Sequence, residues 1–173
     1  MVTNVAPRIV VMGVCGCGKS TVGRRLAEVL GLDYVEGDDL HSRHNVALMA
    51  AGTPLTDADR HGWLQAVARQ LTTGPALSQG VVVACSALKQ SYRDLLRAAA
   101  PDLLLVHLTG ARALLEQRLA ARADHYMPPT LLQSQIDTLE PPTDDEHAIT
   151  LDIGPPPDAL VAVLEQRLKR TAP

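Results

Sequence analysis

Apolar residues along this chain form two kinds of run. Unbroken apolar stretches at residues 9–12, 81–85 and 103–108 read as strands buried on both faces, as in a parallel sheet, and shorter ones at 33–36 and 148–153 complete the set. Between them the spacing changes to that of helices: Val22, Leu26, Val29 and Leu30; Arg60, Leu64, Val67 and Leu71; Leu160, Leu164 and Leu168. Further helices are expected over 45–51, 89–100, 111–122 and 129–139. Strands alternating with helices predict an α/β fold, a doubly wound five-stranded parallel sheet with ligands at the carboxyl ends of its strands. The Pro and Gly clusters at Gly74-Pro75, Pro141-Pro142 and Gly154-Pro155-Pro156-Pro157 read as loops, so the chain is expected to be a single domain over 1–173.

Composition narrows the chemistry. The chain has no Phe, one Trp and three Tyr, so its core must be aliphatic and it has almost no stacking platform for single-stranded nucleic acid. A net charge of −3 leaves no basic footprint, and nucleic acid is excluded as a partner. No apolar run approaches the roughly 20 residues that span a bilayer, so no membrane is expected. The first strand begins so early that no signal peptide is expected. The three cysteines, Cys15, Cys17 and Cys85, make no disulfide framework and suit a reducing, cytoplasmic setting.

The most specific local feature is Gly13-Val14-Cys15-Gly16-Cys17-Gly18-Lys19-Ser20, which fits G-x-x-x-x-G-K-[ST]. It follows an apolar strand and opens a helix, the context that makes the pattern a phosphate-binding loop rather than a Gly-rich turn. Its N–H groups, with that of Thr21, would cradle the phosphates of ATP; Lys19 would reach the β- and γ-phosphates, and Ser20 would ligate Mg²⁺. Cys15 and Cys17 read as small residues tolerated in a tight loop rather than a redox pair, because thiols so close in a loop rarely reach disulfide geometry.

Nucleotide binding alone does not name a reaction. The guanine signature N-K-x-D is missing, and the strand at 81–84 runs into Cys85-Ser86 rather than the carboxylate of a motor ATPase. Glu36-Gly37-Asp38-Asp39 ends the short second strand instead, placing Asp38 where Mg²⁺ and an acceptor hydroxyl could both be met. Arg118 and Arg122 share a helix face at i and i+4, a repulsive spacing that leaves them either serving an anionic partner or simply solvated. In a small kinase, arginines on a lid over the transferring phosphoryl group are an expected device. The residues on their own reach a small-molecule kinase.

Longer stretches then carry a resemblance. The phosphate loop, Glu36-Gly37-Asp38-Asp39-Leu40-His41, Asn45 with Met49, and Gly52-Thr53-Pro54-Leu55-Thr56-Asp57-Ala58-Asp59-Arg60 with Trp63-Leu64 resemble the gluconokinase family. So do Cys85-Ser86-Ala87-Leu88-Lys89 with Tyr92-Arg93-Asp94, His125-Tyr126-Met127-Pro128, Leu131-Leu132-Gln133-Ser134-Gln135 and Leu139-Glu140-Pro141. The C-S-A-L-K and L-L-x-S-Q stretches are far more specific than the phosphate loop. The resemblance implies a nucleoside monophosphate kinase-like P-loop fold with a mobile lid at about 118–140. It implies transfer of phosphate from ATP, with Mg²⁺, to the 6-hydroxyl of D-gluconate, giving 6-phosphogluconate and ADP. Many members of the family are dimeric; the sequence shows no clear interface stripe of its own.

Residue by residue, the resemblance implies that Lys19, Asp38, Arg118 and Arg122 are catalytic, with Asp38 orienting the 6-hydroxyl. Arg60, Lys89 and Arg93 supply cations for the gluconate carboxylate, since an arginine engages a carboxylate bidentately. His41, Asn45, His125 and Gln135 bind hydroxyls, although Asn45 could equally cap a helix and Arg60 could simply pack. Trp63 reads as packing, and the loop at 152–157 as the adenine contact. Ser42, Leu48, His61-Gly62 and Tyr126 depart from the family pattern, and Gly62 is expected to loosen a helix N-terminus. The competing readings are a shikimate-kinase-like or other small hydroxy-acid kinase, and a regulatory nucleotide-binding module without catalysis.

Overall fold

The computed structural model describes residues 6–122 and 128–171. Its five strands are β1 (Arg8–Met12), β2 (Asp33–Glu36), β3 (Val81–Ala84), β4 (Leu104–Thr109) and β5 (Ala148–Asp152). All pair in parallel, in the order β2-β3-β1-β4-β5. The helices are α1 (Lys19–Leu30), α2 (Arg43–Ala50), α3 (Asp57–Gln70), α4 (Gln90–Ala99), α5 (Arg112–Ala120), α6 (Pro129–Thr138) and α7 (Pro157–Thr171). Each predicted element forms to within a few residues. Three short 3₁₀ turns, Gly37–Leu40, Gly74–Leu77 and Asp144–Glu146, have no periodicity and went unpredicted.

Alternation along β1 shows why the central strands read as unbroken apolar runs. Ile9 and Val11 face one core, with Val22 and Leu26 of α1 and Leu160 and Leu164 of α7. Val10 and Met12 face the other, with Trp63, Leu64 and Val67 of α3 and Leu96 of α4. Both faces of the central strands are covered, so their positions are almost all apolar; His107 on β4 is the buried polar exception, its Nε2 without a hydrogen-bond partner among the described residues.

One buried charge is paired within the protein. Arg93 is 1% exposed and donates from Nε and Nη2 to the Glu146 carboxylate, at 2.5 and 2.9 Å. Its Nη1 donates to the carbonyls of Ala87 and Leu88. Those bonds hold a backbone that Ala87 takes at φ 43, a left-handed conformation uncommon for a residue with a Cβ. The pair therefore braces the chain leaving β3, and truncating either partner would strand the other charge in the core.

Helix ends follow local chemistry. Ser42, not Asn45, caps α2, accepting a hydrogen bond from the Asn45 N–H. Thr56 caps α3 with Asp59 in a reciprocal capping box. Because α3 begins at Asp57, Gly62 lies within the helix and does not loosen its start, correcting the expectation from sequence. Gly62 is exposed, and a Cβ there would meet nothing within 4 Å. Gly62→Ala is therefore expected to stabilise the protein by about 0.5–1 kcal/mol in urea unfolding, and a loss of stability would contradict this account of α3.

Candidate active site

Parallel pairing brings the carboxyl ends of β1, β2, β3 and β4 to one edge, and the site is built there. The loop after β1 begins at Gly13, at φ 143, where a Cβ would lie 2.5 Å from the Leu108 carbonyl oxygen. No side chain fits, so the loop can lie directly on the end of β4. Gly13 N–H donates to the Ser86 carbonyl, tying the loop to the end of β3 as well. From there the chain turns through Gly16 and Gly18, both at positive φ, into α1 at Lys19. The result is a nest of N–H groups at a helix N-terminus, a cradle shaped for phosphate oxygens. Lys19 Nζ meanwhile donates to the Val14 carbonyl at 3.1 Å.

On the β2 side, Gly37 abuts β3 so closely that a Cβ would lie 2.1 Å from the Ala84 carbonyl oxygen. Trp63 Nε1 donates to the Gly37 carbonyl at 2.7 Å and pins this turn to α3. The turn presents Asp38 and His41 to a cleft of about 70 Å³ that Cys15, Lys19, Arg60, Ser86, Ser134 and Gln135 also line. His41 stacks on Trp63 with ring centroids 4.2 Å apart. Burial holds its pKa down to about 4, with the nearby Arg60 charge acting in the same direction and Asp38 opposing, so His41 is a neutral hydrogen-bonding ring at pH 7.

Arg60 is the unusual charge. It is 8% exposed, forms no ion pair among the described residues, and its Nε has no hydrogen-bond partner there. Its guanidinium lies 5.8 Å from the Tyr92 ring centroid. A buried cation left without an anion is costly, and this one opens on the cleft.

Other expected site residues go elsewhere. Arg93 does not line the cleft, and Glu146 and two backbone carbonyls take its donors. Lys89 does not line the cleft and holds both Asp57 oxygens, at 2.9 and 3.0 Å. Asn45 is buried, donating its amide to the Asp59 carbonyl at 2.8 Å beside His41 Nδ1, so it braces His41 instead of lining the cleft. Arg118 donates to the Ile153 carbonyl at 2.7 Å and lies beside Gly18, at the β5 side of the phosphate loop. Arg122 is exposed, and its charge reaches the Cys15 thiol, whose pKa burial nonetheless raises. Arg118 and Arg122 therefore approach the loop at different points. Thr21 is exposed on α1, and His125, with Tyr126, lies outside the described residues.

Two contributions escaped the sequence reading. Trp63 is buried as expected, but it also orients both the Asp38 turn and His41; its signal was being the single Trp of a chain almost without aromatics. Gln135 was read as a hydroxyl ligand, yet its Oε1 accepts the Cys15 N–H at 2.7 Å.

Comparison with known proteins agrees with this architecture. A family described as an AAA domain matches residues 9–142. A probable gluconokinase of Xenopus tropicalis is 43% identical over 94% of this chain and 93% of its own length. A gluconokinase of Gluconobacter oxydans is 44% identical over 93% of this chain and 91% of its own. The chain belongs to the gluconokinase family. Within that family, the crystal structure of a gluconokinase from Sinorhizobium meliloti superposes with a TM-score of 0.84 at 41% identity, covering 98% of this chain and 99% of that one. A shikimate kinase from Acinetobacter baumannii, at 22% identity and a TM-score of 0.65, shares the fold alone. This gluconokinase-family chain is thus a P-loop kinase, a phosphotransferase acting on an alcohol group, and the shikimate-kinase-like alternative is not favoured.

The neutral His41 sets a pH dependence. Its folded pKa lies below the roughly 6.5 of an exposed histidine, so the unfolded chain takes up the proton first as pH falls. Burial lowers the pKa of His107 too, with the Arg93 charge adding to the effect. Stability should be full above about pH 6.5 and decline as pH drops toward 4, and His41→Asn should flatten part of that decline in urea titrations. An unchanged slope in the variant would show that His41 is not held neutral.

Proposed function

We propose that this protein transfers the γ-phosphoryl group of ATP to the 6-hydroxyl of D-gluconate. The single observation that carries the reading is Arg60, a buried cation that forms no ion pair among the described residues and opens on a cleft that the phosphate-loop lysine also lines. An open-chain acid with a carboxylate at one end and a primary hydroxyl at the other complements that arrangement. Family membership supplies the identity of the acid.

In this reading, the loop amides and Lys19 hold the triphosphate, and Arg122 meets its transferring end. Arg118 and the loop at 152–157 serve the nucleoside end. Asp38 orients the acceptor hydroxyl and takes its proton as the oxygen attacks the γ-phosphorus; the new O–P bond forms while the bond to the β–γ bridging oxygen breaks, and ADP leaves. His41 and Gln135 add hydrogen bonds to the acceptor side. Among the described residues, no group of three His, Cys, Asp or Glu side chains is arranged to hold a metal. Magnesium would therefore be held by Ser20, water and the nucleotide phosphates, and would supply charge neutralisation on the phosphates. No described helix is long and apolar enough to cross a membrane, and the three cysteines are free and buried, which supports a cytoplasmic setting.

Arg60→Ala should raise the KM for gluconate about 10- to 100-fold and leave the KM for ATP nearly unchanged, as expected for one lost charged contact. Equal effects on both substrates, or none, would overturn the assignment. Asp38→Asn should lower kcat about 10²- to 10⁴-fold while a nonhydrolysable ATP analogue binds as before. An active Asn variant would remove Asp38 from the proton path.

A further inference from the structure

His41 is the one ring lining the cleft, and a neutral imidazole can face a ligand in two opposite ways. With its proton on one nitrogen it donates there, and on the other it accepts. The Trp63 ring fixes the plane of His41, stacked at 4.2 Å with 15° between the two. Stacking still leaves the imidazole free to turn within its plane and to carry its proton on either nitrogen. Asn45, four residues further on in the first turn of α2, removes both freedoms.

Asn45 is buried, and its side chain meets two neighbours. The atom 2.8 Å from the Asp59 carbonyl oxygen must be the amide nitrogen, because two oxygens cannot share a hydrogen bond. That same nitrogen lies 3.4 Å from His41 Nδ1. An amide nitrogen brings two N–H groups and no acceptor, so Nδ1 can only accept. A neutral ring that accepts at Nδ1 carries its proton on Nε2. Burial, which holds the pKa of His41 down to about 4, keeps the doubly protonated form away at pH 7. The bracing residues are themselves fixed. The capping box with Thr56 holds Asp59 at the start of α3, and the Asn45 N–H donates to the Ser42 hydroxyl.

We propose that Asn45 is a positioning residue that fixes His41 as its Nε2–H tautomer, so that the cleft offers a ligand a hydrogen-bond donor beside the Asp38 carboxylate. A hydroxyl seated on Nε2–H receives that bond through a lone pair and keeps its own proton to give. Asp38 then has a donor to accept from, and the hydrogen bonds around the hydroxyl run in one direction. The consequence for the acceptor rests on its binding in this cleft, as proposed above; the tautomer does not.

The test begins with two-bond ¹⁵N–¹H correlation of the histidine rings, on the whole chain at pH 7 with no ligand. His41 is assigned by its loss in His41→Leu. The wild type should show Nδ1 bare and Nε2 protonated, and Asn45→Leu should show shifts averaged between the two tautomers. In kinetics, Asn45→Leu should raise the KM for gluconate about 2- to 10-fold, the value of one net hydrogen bond, with the KM for ATP nearly unchanged. Because Asn45 acts through His41, adding Asn45→Leu to His41→Leu should raise it no further. A wild-type ring protonated at Nδ1, or at both nitrogens, would overturn the tautomer, and this spectrum decides even where a variant fails to fold. Additive effects on the gluconate KM would overturn the positioning role. Failure of the wild type to use gluconate, with the ring spectrum as expected, would count against the proposed function alone.

Discussion

The phosphate loop lies against backbone on two sides, and the rest of the site follows from that contact. Gly13 rests on the Leu108 carbonyl and donates to the Ser86 carbonyl, so the loop after β1 is clamped between the ends of β4 and β3. Parallel pairing puts those ends at the same edge. A side chain at position 13 would push the loop off β4, tilting α1 and the amides at its N-terminus away from the cleft. Gly37 repeats the device at the end of β2, where the Asp38 turn packs on the Ala84 carbonyl. Donor and acceptor halves are thus registered by backbone contact, and side chains act on a frame that is already set.

Three cations near the acceptor side show how placement decides role. Arg93 is neutralised by Glu146 and serves as a brace for the chain leaving β3. Lys89 is neutralised by Asp57 at the joined starts of α3 and α4, with Tyr92 donating to the same carboxylate. Arg60 alone among them reaches the cleft with no carboxylate of its own. Buried charge is tolerated in proteins when it is paired, so an unpaired one opening on a cleft points to a ligand.

The same comparison shows where the sequence was legible. The strands and helices announced themselves because a parallel sheet covered on both faces needs unbroken apolar runs, and amphipathic helices need a period near 3.6. The phosphate loop was readable because its glycines answer a local backbone demand. Arg60, Lys89 and Arg93 could not be sorted, because their fates depend on Asp57, Glu146 and the Ala87 turn. Glu146, more than fifty residues beyond Arg93, reaches it only through the β4–β5 pairing that places the turn before β5. The Gln135 contact with Cys15 was equally invisible, since it exists only once α6 lies over the loop. Local rules wrote the scaffold, and long-range pairing assigned the charges.

The central claim is that this scaffold phosphorylates an open-chain sugar acid held by Arg60. The most direct test is ADP release from ATP and Mg²⁺ with D-gluconate, with shikimate and with no acceptor, side by side. The account predicts rapid release with gluconate, with a product phosphorylated at the 6-oxygen, and only background in the other two. Release with shikimate but not gluconate, or equal release in all three, would contradict it.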